Sequence, residues 1–230
     1  MEKATILLQR TLEGVVDKAH GIDHALQVVK HVDKALEVTE YQLTDVQKEA
    51  IRLAALLHDA DDGKFFTDSS NASDILSEVA TDEVKELTLR MIDLVSCSKN
   101  GNSVVEPDWL LYPRYADRLE AIGEIGIQRC WEYSSHVKRE AFDANTKRAR
   151  NPEELYEIVT YQRFNNYVKL RGKMGNASFI DHFYDKLLHI GKVGNNSYFN
   201  ELAKERIKIM EGFVIEFGIT GKIPMRDYMQ

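Results

Sequence analysis

The stretch Leu53 to Phe66, LAALLHDADDGKFF, runs an apolar helical pattern into a histidine, then sets three carboxylates, Asp59, Asp61 and Asp62, directly after it. Adjacent His58 and Asp59 offer an imidazole nitrogen and a carboxylate oxygen, a mixed donor pair suited to a divalent transition metal. Two donors make a weak site. His24, in GIDHALQVV, and Asp117, in ADRLEAIG, are a third and a fourth candidate, each embedded among apolar neighbours where an unpaired imidazole or carboxylate is costly. Any one of them alone is more often a satisfied polar residue or an ion-pair member than a ligand. Read together they form a His, His, Asp, Asp set whose placement a bound cation would explain.

The elements that must position these residues are helical. From Ile22 the residues Ala25, Leu26, Val28, Val29, Val32, Ala35, Leu36 and Val38 recur at three- and four-residue steps, which predicts a helix over 22–38 carrying His24. Thr44 and Gln47 form a T-x-x-Q capping box, and Val46, Ala50, Leu53, Ala54 and Leu57 continue at helical spacing up to His58. A third helix begins near Thr81. A fourth carries YADRLEAIGEIGI, with Asp117 in it and Gly123 and Gly126 permitting close packing. NPEE at 151–154 sets an N-cap, an N1 proline and first-turn acids for a fifth; Ser178 opens a sixth and Ser197 a seventh. Loops are expected over 63–73, 99–107, 134–151, 172–176 and 191–196. No alternating strand pattern or internal repeat appears, so the expected class is all-α.

The 230-residue chain, 43% hydrophobic and 29% charged, has the composition of a globular protein with a substantial core. Its formal net charge of −7 argues against duplex nucleic acid or a membrane surface as partner. Cys97 and Cys130 are far apart and form no CxxC pair. Together with charges that break every apolar run in the first fifteen residues, this leads to the expectation of a cytoplasmic protein without a signal or transmembrane segment.

Taken in order, His24, His58-Asp59 and Asp117 resemble the H…HD…D pattern of the HD-domain metal-dependent phosphohydrolases. The likeness extends beyond the ligands. HDADDGKF is similar to the HD-x-x-D-x-K-[FY] of a bacterial subgroup that includes nucleotide pyrophosphohydrolases, ADRLEAIGEIGIQR to its ADRLDAIGAIGIAR, and SFIDHFYDKLL to its later HFYEKLL segment. With the first histidine, these blocks span Ala19 to Leu188. Two positions depart from the pattern: Asp61 stands where the subgroup usually has glycine, and Tyr115 where it has a second acid.

The resemblance implies a single HD-domain helical bundle over 1–230, with a metal core at 19–130 and C-terminal helices over 151–218 completing the pocket. It implies one divalent ion held by His24, His58, Asp59 and Asp117, with Mn2+ preferred and Mg2+, Fe2+, Co2+, Ni2+ or Zn2+ as alternatives. None of the seven histidines lies between Asp59 and Asp117, where dinuclear members insert two more ligands, so the expected centre is mononuclear and hydrolytic. Asp62 has the family's catalytic position, to orient the attacking water or take its proton. It reaches the ligand side if the helix runs on for another turn. Asp61 is read as a solvated loop acid.

Lys64 is read as a phosphate contact or, equally, a solvated loop lysine, and Arg118 as a member of an ion pair with phosphate contact as the alternative; both are carried as candidate substrate-binding residues. His20, His182 and Lys186 are further substrate-side candidates, while His31 is left as structural. The segment from Lys138 to Lys173 holds nine basic residues against five acids, a field that would attract a polyphosphate. The expected substrate is a nucleotide or other phosphorylated small molecule. The favoured reaction converts a nucleoside triphosphate to monophosphate and pyrophosphate; the alternatives are a nucleoside monophosphatase, an alarmone hydrolase, or a non-catalytic nucleotide-binding sensor.

Overall fold

Apolar residues at three- and four-residue steps become buried helix faces throughout. The structure, a computed structural model, describes residues 1–16, 21–63, 65–173 and 177–225; it is all-α, with no strand among the described residues. The chain divides into two compact units, each described by itself.

The first unit comprises residues 1–96, 104–117 and 194–199. Its helices are α1 (Glu2–Leu12), α2 (Ile22–Glu37), α3 (Asp45–Leu57), α4 (Asn71–Val79) and α5 (Asp82–Val95), followed by a 3-10 turn at Asp108–Leu111 and the start of α7 (Tyr112–Glu120). α3 is the central helix. Ala50, Ile51 and every residue from Leu53 to Leu57 are buried, and it packs on α2 and α5. Its start is the expected capping box, with Gln47 N–H bonded to Thr44 Oγ1 at 3.2 Å and Thr44 N–H to Gln47 Oε1 at 2.9 Å. Thr81 likewise caps α5.

Two helices of the first unit escape the sequence reading, as those at Cys97–Asn100 and Tyr161–Lys169 of the second also do. α1 buries Ala4, Leu8 and Leu12 at four-residue steps, a stripe too short to stand out among its charges. α4 begins inside the expected 63–73 loop.

The second unit comprises residues 97–103, 118–193 and 200–230. It contains α6 (Cys97–Asn100), the last turn of α7, α8 (Gly123–His136), α9 (Pro152–Ile158), α10 (Tyr161–Lys169), α11 (Phe179–Asp185), a 3-10 turn at Leu187–His189 and most of α12 (Ser197–Thr220). The single fourth helix read from sequence is two, broken at Gly123, whose φ of +75° lies in the left-handed region. The break is held open: Arg206 Nη1 donates to Leu119 O, and Arg129 Nη1 donates to Glu120 O at 3.0 Å, so the last carbonyls of α7 find partners. A Cβ on Gly126 would stand 2.3 Å from the Ala121 carbonyl oxygen, so the fold back onto α7 needs glycine there too.

α9 starts as expected, with Asn151 Oδ1 accepting from Glu154 N–H at 2.8 Å and Pro152 in the first turn. No helix among the described residues is long and apolar enough to cross a membrane.

Candidate metal centre

Three stretches of the first unit deliver the predicted ligands to one place. His24 sits in the first turn of α2, just after its extended N-cap Gly21; His58 is the C-cap of α3, with Asp59 next to it; Asp117 lies on α7.

His24 Nε2 stands 3.4 Å from Asp117 Oδ1 and 3.8 Å from Asp59 Oδ2. His58 Nε2 stands 3.3 Å from Asp59 Oδ2 and 3.5 Å from Asp117 Oδ1. The two imidazoles meet edge to face, with ring centroids 5.2 Å apart. Their side chains are sealed, at 5% and 1% exposure, whereas those of Asp59 and Asp117 keep 27% and 29%, so the carboxylate side is the open one.

These separations fit a divalent ion. Nitrogen and oxygen donors at about 2.1 Å from a shared ion stand about 3.0–3.4 Å from each other. A charge-assisted hydrogen bond, by contrast, has a donor–acceptor distance of about 2.7–2.9 Å. His58 makes the point most sharply. Its Nδ1 lies 2.9 Å from the Ala55 carbonyl, which can only accept, so Nδ1 carries the proton and donates. Nε2 then faces two carboxylates and is buried without a hydrogen-bond partner. A histidine oriented through Nδ1 by a backbone carbonyl, with Nε2 presented to oxygen donors, is the usual arrangement of a metal ligand.

The electrostatics agree. Burial alone would lower the His58 pKa, but Asp59 and Asp117 outweigh it and hold the imidazole well above its ordinary value. Burial would raise the two carboxyls, yet His58 beside Asp59, and His24 and His58 beside Asp117, hold both far below the usual carboxylate range. The centre stabilises positive charge between its donors. His24, His58 and Asp59 alone already bring one ligand atom each within 4.8 Å of the others.

Asp62 follows on a turn rather than on a continued helix. α3 stops at Leu57, and Asp62 N–H bonds Asp59 O at 3.1 Å, a three-residue step that brings position 62 back over position 59. Asp61 is not the solvated acid expected. Its carboxylate accepts from Ser69 Oγ, Asn71 N–H and Ala72 N–H, partners eight to eleven residues away that no local pattern announces. Tyr115, where the family has a second acid, is 5% exposed and donates its hydroxyl to Asp108 Oδ1 at 2.6 Å. His31, left as structural, pairs with the Tyr198 hydroxyl at 2.7 Å.

The expected substrate contacts are distributed differently. His20 and Lys64 lie outside the described residues. Arg118, next to Asp117, belongs to the second unit. It is 2% exposed and donates to Gly101 O, Asn102 Oδ1 and Lys192 O at 2.5, 2.8 and 3.2 Å, so among these bonds its partners are carbonyl and amide oxygens rather than the acid considered from sequence. His182 and Lys186, also in the second unit, both flank the Tyr167 ring, at 5.9 Å each. Within the basic segment, Arg163 pairs with Asp181 and Asp185, and Arg148 binds the Gly218 and Ile219 carbonyls.

The described residues form an all-helical fold that gathers two histidines and two aspartates at one place. No family model matches the sequence. The chain is 39% identical over 218 residues to the uncharacterized protein L803 of Acanthamoeba polyphaga mimivirus, a match covering 86% of this chain and 88% of that one. An HD-superfamily hydrolase from Bacillus thuringiensis superposes over 100% of this chain and 97% of its own, with a TM-score of 0.58 and 25% identity. Bacillus subtilis YpgQ, solved in complex with ADP, shares the fold over 98% of this chain and 96% of its own, with a TM-score of 0.64 and 20% identity. The chain belongs to the HD-domain superfamily.

Proposed function

We propose that this chain is a metal-dependent phosphohydrolase acting on nucleotides, with hydrolysis of a nucleoside triphosphate to monophosphate and pyrophosphate as the favoured reaction. The observation that carries the reading is the convergence of the His24 and His58 Nε2 atoms on the Asp59 and Asp117 carboxylates at 3.3–3.8 Å. When bound there, a divalent ion supplies a water acidic enough to attack phosphorus near neutral pH.

The chain's own residues do the rest. His58 is kept in the ligating tautomer by Ala55 O, and the open carboxylate side of the centre is where a phosphate approaches. Asp62 orients the attacking water and accepts its proton as the new oxygen–phosphorus bond forms. The bond from the α-phosphorus to its bridging oxygen breaks, and pyrophosphate leaves. The ADP bound by YpgQ supports a nucleotide as the ligand class.

The test is a panel of nucleotides and phosphate esters incubated with the Mn2+-loaded protein, with pyrophosphate and orthophosphate resolved by phosphorus NMR. Pyrophosphate release is expected. Orthophosphate alone would transfer the assignment to a phosphatase, and no release from any substrate would remove the enzyme reading. In Asp62→Asn, turnover should fall by about a hundredfold or more while Mn2+ stays bound, the scale of a positioned acid–base group.

A further inference from the structure

We propose that Asp61 is a positioning residue: its carboxylate ties the turn carrying Asp59 and Asp62 to the start of α4, and so sets where Asp62 stands for the reaction. The proposal rests on the phosphohydrolase reading above.

α4 begins at Asn71, and its N-cap, Ser70, makes no side-chain cap bond. The first amides of a helix need acceptors from outside it. Asp61 supplies them across the intervening loop. Oδ1 accepts from Asn71 N–H at 2.7 Å and from Ser69 Oγ at 2.6 Å, and Oδ2 accepts from Ala72 N–H at 3.1 Å. Asn71 closes the clasp from the other side, its Nδ2 donating to Ala60 O at 2.8 Å. A carboxylate at a helix N-terminus is favoured by the helix dipole as well as by its hydrogen bonds.

Position 61 lies between the two functions. Upstream, His58 is held independently, as the C-cap of the buried α3 and by the bond from its Nδ1 to Ala55 O. Downstream, Asp62 sits in a turn, its N–H bonded to Asp59 O and its carbonyl accepting from Phe65 and Phe66 N–H at 2.9 and 3.0 Å. Of these bonds to the start of α4, loss of the Asp61 carboxylate leaves the one from Asn71 Nδ2 to Ala60 O. Asp62 should then shift while the metal ligands stay.

The experiment compares wild type, Asp61→Ala and Asp61→Asn, each Mn2+-loaded, for kcat per bound ion, KM, Mn2+ affinity, and hydrogen exchange at the Asn71 and Ala72 amides. In Asp61→Ala, exchange at both amides should accelerate. Its kcat should fall about tenfold or more with KM little changed, because sub-ångström to ångström misplacement of a reacting group is that costly. Mn2+ affinity should stay within about threefold of wild type, since no ligand is altered. Asp61→Asn keeps an oxygen for the Asn71 amide and should return kcat to within about threefold of wild type.

Wild-type kcat per bound ion in Asp61→Ala would overturn the proposal. So would a loss of Mn2+ affinity beyond about tenfold, which would make the residue a support of the ligands instead. If Asp61→Ala does not fold, Ser69→Ala removes one donor from the same carboxylate and should lower kcat by a smaller factor at unaltered Mn2+ affinity; unchanged kcat there overturns the idea equally. Failure of the phosphohydrolase reading looks different, as a wild type inactive on every substrate, and the positioning role falls with it.

Discussion

In the first unit, the Asp59 and Asp117 carboxylates face the Nε2 atoms of His24 and His58 at 3.3–3.8 Å; in the second, the Asp181 and Asp185 carboxylates hold Arg163 at 2.8 and 2.6 Å. Both clusters place two acids together in a largely buried setting. The second carries its cation on the chain: a guanidinium at hydrogen-bonding distance from each acid, with Ser178 Oγ and Thr146 Oγ1 also donating to Asp181. The first, among the described residues, sets imidazoles against its acids at distances too long for strong hydrogen bonds and suited to sharing an ion. Where the chain supplies the cation, the cluster is part of the framework. Where it supplies lone pairs around an open edge, the cluster can take a metal and a substrate.

The largest effect should come from breaking the first cluster. A metal joining α2, the end of α3 and α7 stabilises the folded state by mass action, by about 2.7 kcal/mol at a hundredfold excess over Kd. For a chain of this size that corresponds to about 5–10 °C in Tm. Chelation of the wild type should therefore lower Tm by that order, and His58→Ala should lose most of the bound ion and with it the response to chelator. Calorimetry with and without chelator, alongside metal analysis after equal loading, reads both. Equal metal content in the two proteins would erase the distinction between the clusters.

A smaller effect should come from breaking the second. Removing one partner of a fully buried ion pair costs about 3–5 kcal/mol, and Arg163 at 27% side-chain exposure should fall below that, near 2 kcal/mol. Arg163→Met should lower stability in urea without altering Mn2+ stoichiometry. A large loss of bound Mn2+ in that variant would show that the second cluster is not purely framework.

Much of the first cluster was legible from sequence because each piece announces itself locally. The T-x-x-Q box starts α3, the apolar period runs to His58, and the spacing from His24 places that ligand in the first turn of α2. What stayed hidden depends on partners far along the chain. Asp61 looks like any loop acid until Asn71 and Ala72 are seen beneath it. Arg118 reads as an ion-pair member or a phosphate contact, and the Gly101, Asn102 and Lys192 oxygens that its guanidinium meets lie sixteen to seventy-four residues away. The break at Gly123 also follows from long-range contacts, since Arg206 on α12 supplies a donor to the free carbonyls at the end of α7. Local capping and periodicity are readable one element at a time; burial of a charge is not, because its compensation lies elsewhere.

The smallest predicted effect sharpens the comparison through a histidine. His189 is in the second unit, stacked on Phe164 with ring centroids 4.9 Å apart, and its Nε2 lies 3.0 Å from Tyr184 O, a carbonyl that can only accept, so Nε2 carries the proton and donates. Burial lowers its pKa; the Tyr184 carbonyl opposes the shift, and the Lys192 and Arg163 charges add to it. The sign is thus opposite to that of His58, whose carboxylate neighbours raise it. A histidine with a lowered folded-state pKa binds fewer protons folded than unfolded, so stability rises with pH through the region between the two values. Acidification below the ordinary histidine value of about 6.5 should therefore destabilise the protein until the folded-state pKa is also passed. His189→Gln keeps a donor for Tyr184 O but cannot titrate, so subtracting its Tm from that of the wild type at each pH, in chelator to remove the metal contribution, isolates the term. The difference should favour the wild type progressively more as pH rises from 5 to 7. A flat difference would mean that His189 has the same pKa folded and unfolded, and one that runs the other way that its folded-state pKa is raised, as the carboxylates raise that of His58.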